Sequence, residues 1–179
     1  MSSTDLKAAR EYCLSDEDVN TLLSPNTRIV VYTDLYRMNR MDDALDGLGR
    51  CILLLPVSSP TSGHWVSLWK EGDVLHYFDP YGYPPETFRE WIRPAGRAIG
   101  MGLRHQVLLE LLKTSGYDVR INQFPYQRNR DDINTCGRHC VTRLMLKDYD
   151  AKAYHNIVAM SKKSPDDFVT LFTLEQLGK

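Results

Sequence analysis

A chain of 179 residues is long enough to bury a substantial core as one domain and short for two. Its 22 basic and 23 acidic residues leave a net charge of −1, so overall charge gives no case for nucleic acid or an acidic membrane as a ligand. Four cysteines, at positions 13, 51, 136 and 140, are too few and too unevenly spaced for a disulfide scaffold, and the longest apolar run, Cys51-Ile52-Leu53-Leu54-Leu55, is too short to span a bilayer.

In chain order, the polar opening Met1-Ser2-Ser3-Thr4-Asp5 lacks the apolar core of a signal peptide. Ser15-Asp16-Glu17-Asp18 ahead of Val19, Leu22 and Leu23 predicts a capped short helix. A strand is expected over 28–32 and a short helix over 41–48, stopped by Gly49. Three strands follow, over 51–57, 64–69 and 74–79, separated by a Pro/Ser/Gly turn and by Glu71-Gly72-Asp73. Pro84-Pro85 can start a helix through Trp91, and Val107, Leu108, Leu111 and Leu112 recur at helical spacing over 104–113. After a strand over 117–122, a buried helix over 136–147 carries Cys140, Val141, Leu144 and Met145 on one side. Ser164-Pro165-Asp166-Asp167 should launch a last helix to about Gln176. The expected class is α+β, a central antiparallel or mixed sheet with helices gathered around it, with residues 1–179 as a single domain.

Chemistry is concentrated in three segments: Ser62-Gly63-His64-Trp65, Tyr77-Phe78-Asp79-Pro80-Tyr81-Gly82, and Asn134-Thr135-Cys136-Gly137-Arg138-His139-Cys140. A thiol of pKa ~8.5 is mostly unionised at neutral pH, so a nucleophilic cysteine needs a base and a group that orients the base. Cys136 opens the buried helix, with Thr135 or Asn134 as its cap, and Gly137 lets another backbone approach the sulfur. Cys140, aligned with Val141 and Leu144, reads as core. On its strand, His64 shares a face with Val66 and Leu68, opposite Trp65, Ser67 and Trp69. His76, His105, His139 and His155 are its competitors. Asp79-Pro80 before Gly82 also reads as a turn in which the aspartate caps its own backbone. A hairpin through 70–73 nevertheless carries His64 and Asp79 to the same end of neighbouring strands, within hydrogen-bonding reach.

An oxyanion would need the Cys136 N–H and a side-chain amide; Asn122, Gln123, Gln127 and Asn134 precede the nucleophile, and Gln127, in a polar loop able to fold back, is preferred. Cys136, His139 and Cys140 lack the second ligand pair of a structural zinc site, so no metal is expected. Arg120, Arg128, Arg130, Arg138 and Arg143 read as a solvated face, with nucleic acid as the minor reading.

In this order, Gly63-His64-Trp65, Phe78-Asp79-Pro80-Tyr81-Gly82-Tyr83 and Gln127…Thr135-Cys136-Gly137…Cys140 resemble the adenain family of adenovirus maturation proteases. They also resemble the wider superfamily of SUMO and other ubiquitin-like-protein proteases, with related enzymes of large DNA viruses and virophages. The resemblance covers a catalytic core over 51–146; residues 1–50 carry none. It implies a papain-like cysteine protease fold in circularly permuted order, with His64 as base, Asp79 as orienter, Gln127 as oxyanion donor and Cys136 as nucleophile. It also implies substrate contacts at Trp65 and Gly137, in narrow clefts that favour glycine near the cleaved bond. One departure stands out: Gln127 lies nine residues before Cys136, where the family places its glutamine six or seven before. The compact chain and the Phe-Asp-Pro-Tyr-Gly-Tyr segment are more similar to viral maturation proteases than to cellular SUMO proteases. Capsid and core precursors are therefore the expected protein substrates, with ubiquitin-like conjugates as the alternative. YopJ-like acetyltransferases share the lineage but would need a basic pocket. The expected protein is an intracellular monomer in host cytoplasm or nucleus, or packaged in the virion, with no cofactor and no membrane partner. An activating peptide or DNA is a partner that the resemblance admits.

Overall fold

The computed structural model describes residues 3–23, 27–94 and 96–178; Met1 and Ser2 of the polar opening lie outside the described residues. Two short helices, α1 (Ser3–Glu11) and α2 (Asp16–Leu23), precede β1 (Arg28–Val31). The start of α2 is the expected capping box: Ser15 Oγ accepts from Asp18 N at 3.1 Å, and the Asp18 carboxylate accepts from Ser15 N at 3.0 Å.

β2 (Arg50–Ser59), β3 (Ser62–Glu71) and β4 (Val74–Phe78) form the antiparallel centre of a five-stranded mixed sheet. β1 joins β2 in parallel, and β5 (Asp118–Ile121) joins β4 in parallel, giving the order β1-β2-β3-β4-β5. Helices α3 (Arg97–Gly100) and α4 (Val107–Thr114) precede β5; α5 (Cys136–Met145), α6 (Ala151–Met160) and α7 (Pro165–Gln176) follow it. The fold is α+β.

Both faces of the sheet are covered, which is why β2 is a nearly continuous apolar run. On one face Leu53, Leu55, Val66, Leu68, Leu75 and Tyr77 pack with Phe88, Leu108 and Leu112. On the other, Ile52, Trp65, Trp69 and Phe78 pack with Cys140, Val141 and Leu144 of α5. Each fully buried side chain of this size is worth about 1.5–3 kcal/mol, so burying α5 against β3 holds the start of that helix at a defined place on the sheet. α2 packs on α5 and α1 on α7, so these two helices add to this layer, while Tyr32, Leu35 and Met41 join the core on the opposite face.

Two expected helices are shorter than their sequence suggests. Residues 41–48 form only a 3-10 turn over Met41–Ala44. The Asp43 carboxylate takes the N–H groups of Asn39 and Arg40, and that of Asp46 takes Leu48 and Arg50, and these side-chain bonds replace helical ones. The helix expected from Pro84-Pro85 begins only as a 3-10 helix over Thr87–Trp91. Glu86 sits at φ 76°, a left-handed conformation no helix continues through, held by buried bonds from Tyr32 Oη (2.8 Å) and Leu109 N (3.2 Å). The last helix, by contrast, starts where expected: Ser164 Oγ accepts from Asp167 N at 3.2 Å, and Pro165 opens the first turn.

Candidate active site

Gly63 sets the mouth of the site. A Cβ there would lie 2.0 Å from Leu55 O and 2.7 Å from Val57 N, so a glycine is needed where β3 closes on the bulge of β2. His64 follows, paired with Leu55 and buried at 5 % exposure. Phe78, the last residue of β4, stands opposite Ser67, so Asp79 leaves the sheet at the end where His64 enters it. His64 Nε2 lies 2.8 Å from Asp79 Oδ1. The turn reading of Asp79 is realised as well, because the same oxygen accepts from Tyr81 N at 2.8 Å. Asn122 brackets the Asp79 backbone, its side chain accepting from Asp79 N and donating to Asp79 O, both at 2.7 Å.

Cys136 is the first residue of α5, is half-buried, and lines one cleft with His64, to which its thiol is electrostatically coupled. Burial pushes its thiol up, but the His64 ring and its charge, with the N–H groups of Trp65 and Gly137, outweigh it and hold the thiol below its ordinary 9.0. Burial likewise works against the imidazolium of His64, and the bond to Asp79 and the neighbouring Cys136 overcome it, raising the ring to about 9. Both shifts favour an imidazolium–thiolate pair at neutral pH. With Nε2–H donated to a carboxylate that can only accept, Nδ1 is the nitrogen left to face the sulfur.

Gln127 is buried and lines the same cleft, of about 360 Å³, as His64, Cys136 and Asn134. Its backbone N donates to Pro80 O at 2.9 Å and its Nε2 to Ile133 O at 3.4 Å, which leaves the second hydrogen of that amide to donate elsewhere. The competing amides are otherwise placed. Asn122 is committed to Asp79, Gln123 is exposed, and Asn134 donates through Nδ2 to Glu11 O at 3.0 Å.

Tyr81 and Trp91 supply the aromatic walls, Tyr81 stacked on the His64 ring at 4.6 Å and Trp91 edge-on to it at 5.6 Å. Sequence reading missed both. Trp65 and Gly137 are not among the described residues lining this cleft: Trp65 is half-buried and packs against the core beneath α5, and Gly137 lies under Leu14, whose Cβ would be 3.5 Å from an added Cβ. Their contribution at Cys136 is the pair of N–H groups at the sulfur. A larger cavity, about 770 Å³, is lined by Trp69, His76 and Arg120, away from Cys136.

Two sequence expectations are corrected around α5, the Thr135 cap and the solvated arginine face, while Cys140 is a core residue as expected. Thr135 occupies the cap position without capping: its backbone, at φ −99° and ψ 4°, is not in the extended conformation of a capping residue, and its hydroxyl is turned to donate to Asp166 Oδ1 at 2.6 Å. Cys140, one turn on, donates to Trp65 O at 3.3 Å, and burial drives its thiol well above the ordinary value, as suits a core residue. The arginines do not form one solvated face. Arg138 is buried, donating to Thr173 Oγ1 and Ala9 O, while Arg143 donates to the carbonyls of Leu146 and Tyr149 and lies 4.5 Å over Trp69. Because α5 is covered on several sides, these guanidinium groups reach carbonyl groups at element ends instead of water. Of the competing histidines, His76 stacks on Trp69, His105 pairs with Glu110, His155 meets Phe124, and His139 is buried against Asp166.

No protein-family model matches the chain. Over 175 residues it is 33% identical to the uncharacterized protein V9 of Sputnik virophage, a match covering 95% of this chain and 99% of V9. The chain belongs to the V9 family. Because the V9 match is nearly end to end, it takes in most of the first fifty residues, which carried no resemblance by motif. Among solved structures, SUMO protease Ulp1 with its catalytic cysteine oxidized to a sulfinic acid is similar at 15% identity, over 97% of this chain and 85% of that chain, with a TM-score of 0.40. No helix among the described residues is long and apolar enough to cross a membrane.

Proposed function

We propose that this V9-family protein is a cysteine protease of the adenain-like, permuted papain type that cleaves viral capsid and core precursor proteins. The observation carrying this reading is the buried His64–Asp79 bond of 2.8 Å, whose imidazole lines one cleft together with Cys136. The Cys136 thiolate attacks the scissile carbonyl carbon, forming the C–S bond, while the Cys136 N–H and Gln127 Nε2 hold the oxyanion. His64 passes its proton to the amine nitrogen as the C–N bond breaks. A water then adds to the thioester carbonyl and gives its proton to His64; the C–S bond breaks, releasing the acid and restoring the pair. Asp79 holds the ring in the working tautomer throughout. The viral assignment is supported by the V9 match across nearly the whole chain.

Incubating the purified protein with a capsid precursor and, in parallel, with a Gly-Gly-linked ubiquitin-like fusion tests the substrate class. Cleavage of the precursor is expected; cleavage of the fusion alone would reassign the protein to modifier removal, and inertness toward both would count against the protease reading. Gln127→Ala should lower kcat by about 10²–10³ with KM little changed, because its amide acts on charge that develops only in the transition state. Wild-type kcat in that variant would remove Gln127 from the oxyanion site.

A further inference from the structure

The mechanism above uses one of two buried His–Asp pairs among the described residues. The second, His139 with Asp166, lies behind the nucleophile with both side chains at most 1% exposed. Asp166 enters from the first turn of α7, whose start is fixed by the Ser164 cap. A carboxylate only accepts hydrogen bonds, and three donors, two from the start of α5 and one from the loop before it, converge on this one. Thr135 Oγ1 donates to Oδ1 at 2.6 Å, His139 Nε2 lies 3.1 Å from the same oxygen, and Arg128 N donates to Oδ2 at 3.3 Å.

Two of these donors adjoin the groups that would hold the oxyanion. Thr135 shares with Cys136 the peptide bond that carries the Cys136 N–H. Arg128 follows Gln127, whose own N–H is tied on the other side to Pro80 O, beside Asp79. Between them runs the 128–134 loop, largely exposed, with Asp166 gripping both of its ends. His139 completes the grip. Burial keeps this imidazole neutral against the pull of Asp166, so Nε2 carries the hydrogen, while Nδ1 is buried without a partner among the described residues. Leaving a buried nitrogen unsatisfied is costly, and an apolar side chain would fill the space without that cost. Burial also opposes the Asp166 charge, but the bonds from His139, Thr135 and Arg128 hold its carboxyl below the usual range.

We infer that Asp166 is a positioning residue for the oxyanion site, one buried carboxylate fixing the Thr135–Cys136 peptide and the Gln127–Arg128 segment relative to each other. The inference rests on the cysteine-protease reading. It divides the work between two aspartates: Asp79 acts on the base and the thiolate, Asp166 on the geometry that receives the oxyanion. The two sides are therefore separable by experiment. Alkylation of Cys136 by iodoacetamide needs the thiolate and creates no oxyanion, whereas an aldehyde such as N-acetyl-glycyl-glycinal forms a hemithioacetal whose oxygen occupies that site.

In Asp166→Asn, kcat on a fluorogenic acetyl-Gly-Gly amide should fall about 10- to 100-fold with KM within about twofold, since misplaced donors are felt mainly in the transition state. Affinity for the aldehyde should weaken in parallel, while the alkylation rate of Cys136 stays at the wild-type value. Thr135→Val, which removes one donor and keeps the shape, should show a smaller loss with the same pattern, and it decides the matter should Asp166→Asn not fold. Wild-type kcat in the folded variants, or alkylation falling in step with kcat, would overturn the inference and leave Asp166 a support of the fold. If wild-type protein itself neither turns over the amide nor is alkylated at Cys136, the protease reading has failed and the inference falls with it.

Discussion

Cys136→Ala is expected to abolish turnover, a loss on the order of 10⁶ in kcat for a nucleophile removed from a site of this kind. The half-buried position at the start of α5 tolerates alanine, a good helix former, so the fold should survive the change. Cys140→Ala supplies the contrast. Its sulfur is fully buried in the core and bonded to Trp65 O, so losing it should cost about 1 kcal/mol of stability and leave kcat within a few-fold of wild type. Measured side by side, kcat and the denaturant midpoint should respond in opposite order in the two variants. If Cys140→Ala were the inactive one, the nucleophile would be the wrong sulfur.

Asp79→Asn should come next in size, lowering kcat on the order of 10²–10⁴. The amide is nearly the same shape and keeps an oxygen for the Tyr81 N–H, and the bonds of Asn122 are to the Asp79 backbone and not to its carboxylate. What disappears is the negative charge at 2.8 Å that holds the His64 ring at about 9 and sets its tautomer. Folding should therefore change much less than turnover, which circular dichroism and a denaturation curve would show together with the kinetics. Undiminished kcat in a folded Asp79→Asn would leave the residue with its turn role alone.

How far the sequence could be read follows from where each signal resides. β2, β3 and β4 were legible because their side chains alternate or run apolar between strong turn residues, and the hairpin they form brings His64 and Asp79 together with little help from the rest of the chain. α5 and α7 were legible from an apolar stripe and from the Ser164-Pro165 start. Failures came where a side chain overrode the local pattern, as with Asp43 and Asp46 in the segment leading into β2 or Glu86 held left-handed by Tyr32. α6 carried a signal that went unread, since Asp150 caps it by accepting from Ala153 N at 2.7 Å. Tyr81 and Trp91 meet His64 only through tertiary packing. The same holds for Asp166, whose partners Thr135 and His139 are 31 and 27 residues away in sequence, a separation no periodicity reports.

The central claim is that Cys136 and His64 form an ion pair poised for nucleophilic attack, and the pH dependence of iodoacetamide labelling, with each cysteine followed by peptide mass spectrometry, tests it most directly. The folded thiol of Cys136 lies below its ordinary 9.0, so its thiolate persists at pH values where a free thiol is protonated and is lost only as pH falls through the lowered value. At neutral pH, limiting reagent should therefore label half-buried Cys136 ahead of exposed Cys13. In His64→Ala the burial that raises the thiol is left largely unopposed, and the labelling midpoint of Cys136 should move upward past 9.0. Preferential labelling of Cys13, or a Cys136 midpoint at or above 9.0 that His64→Ala does not change, would contradict the account.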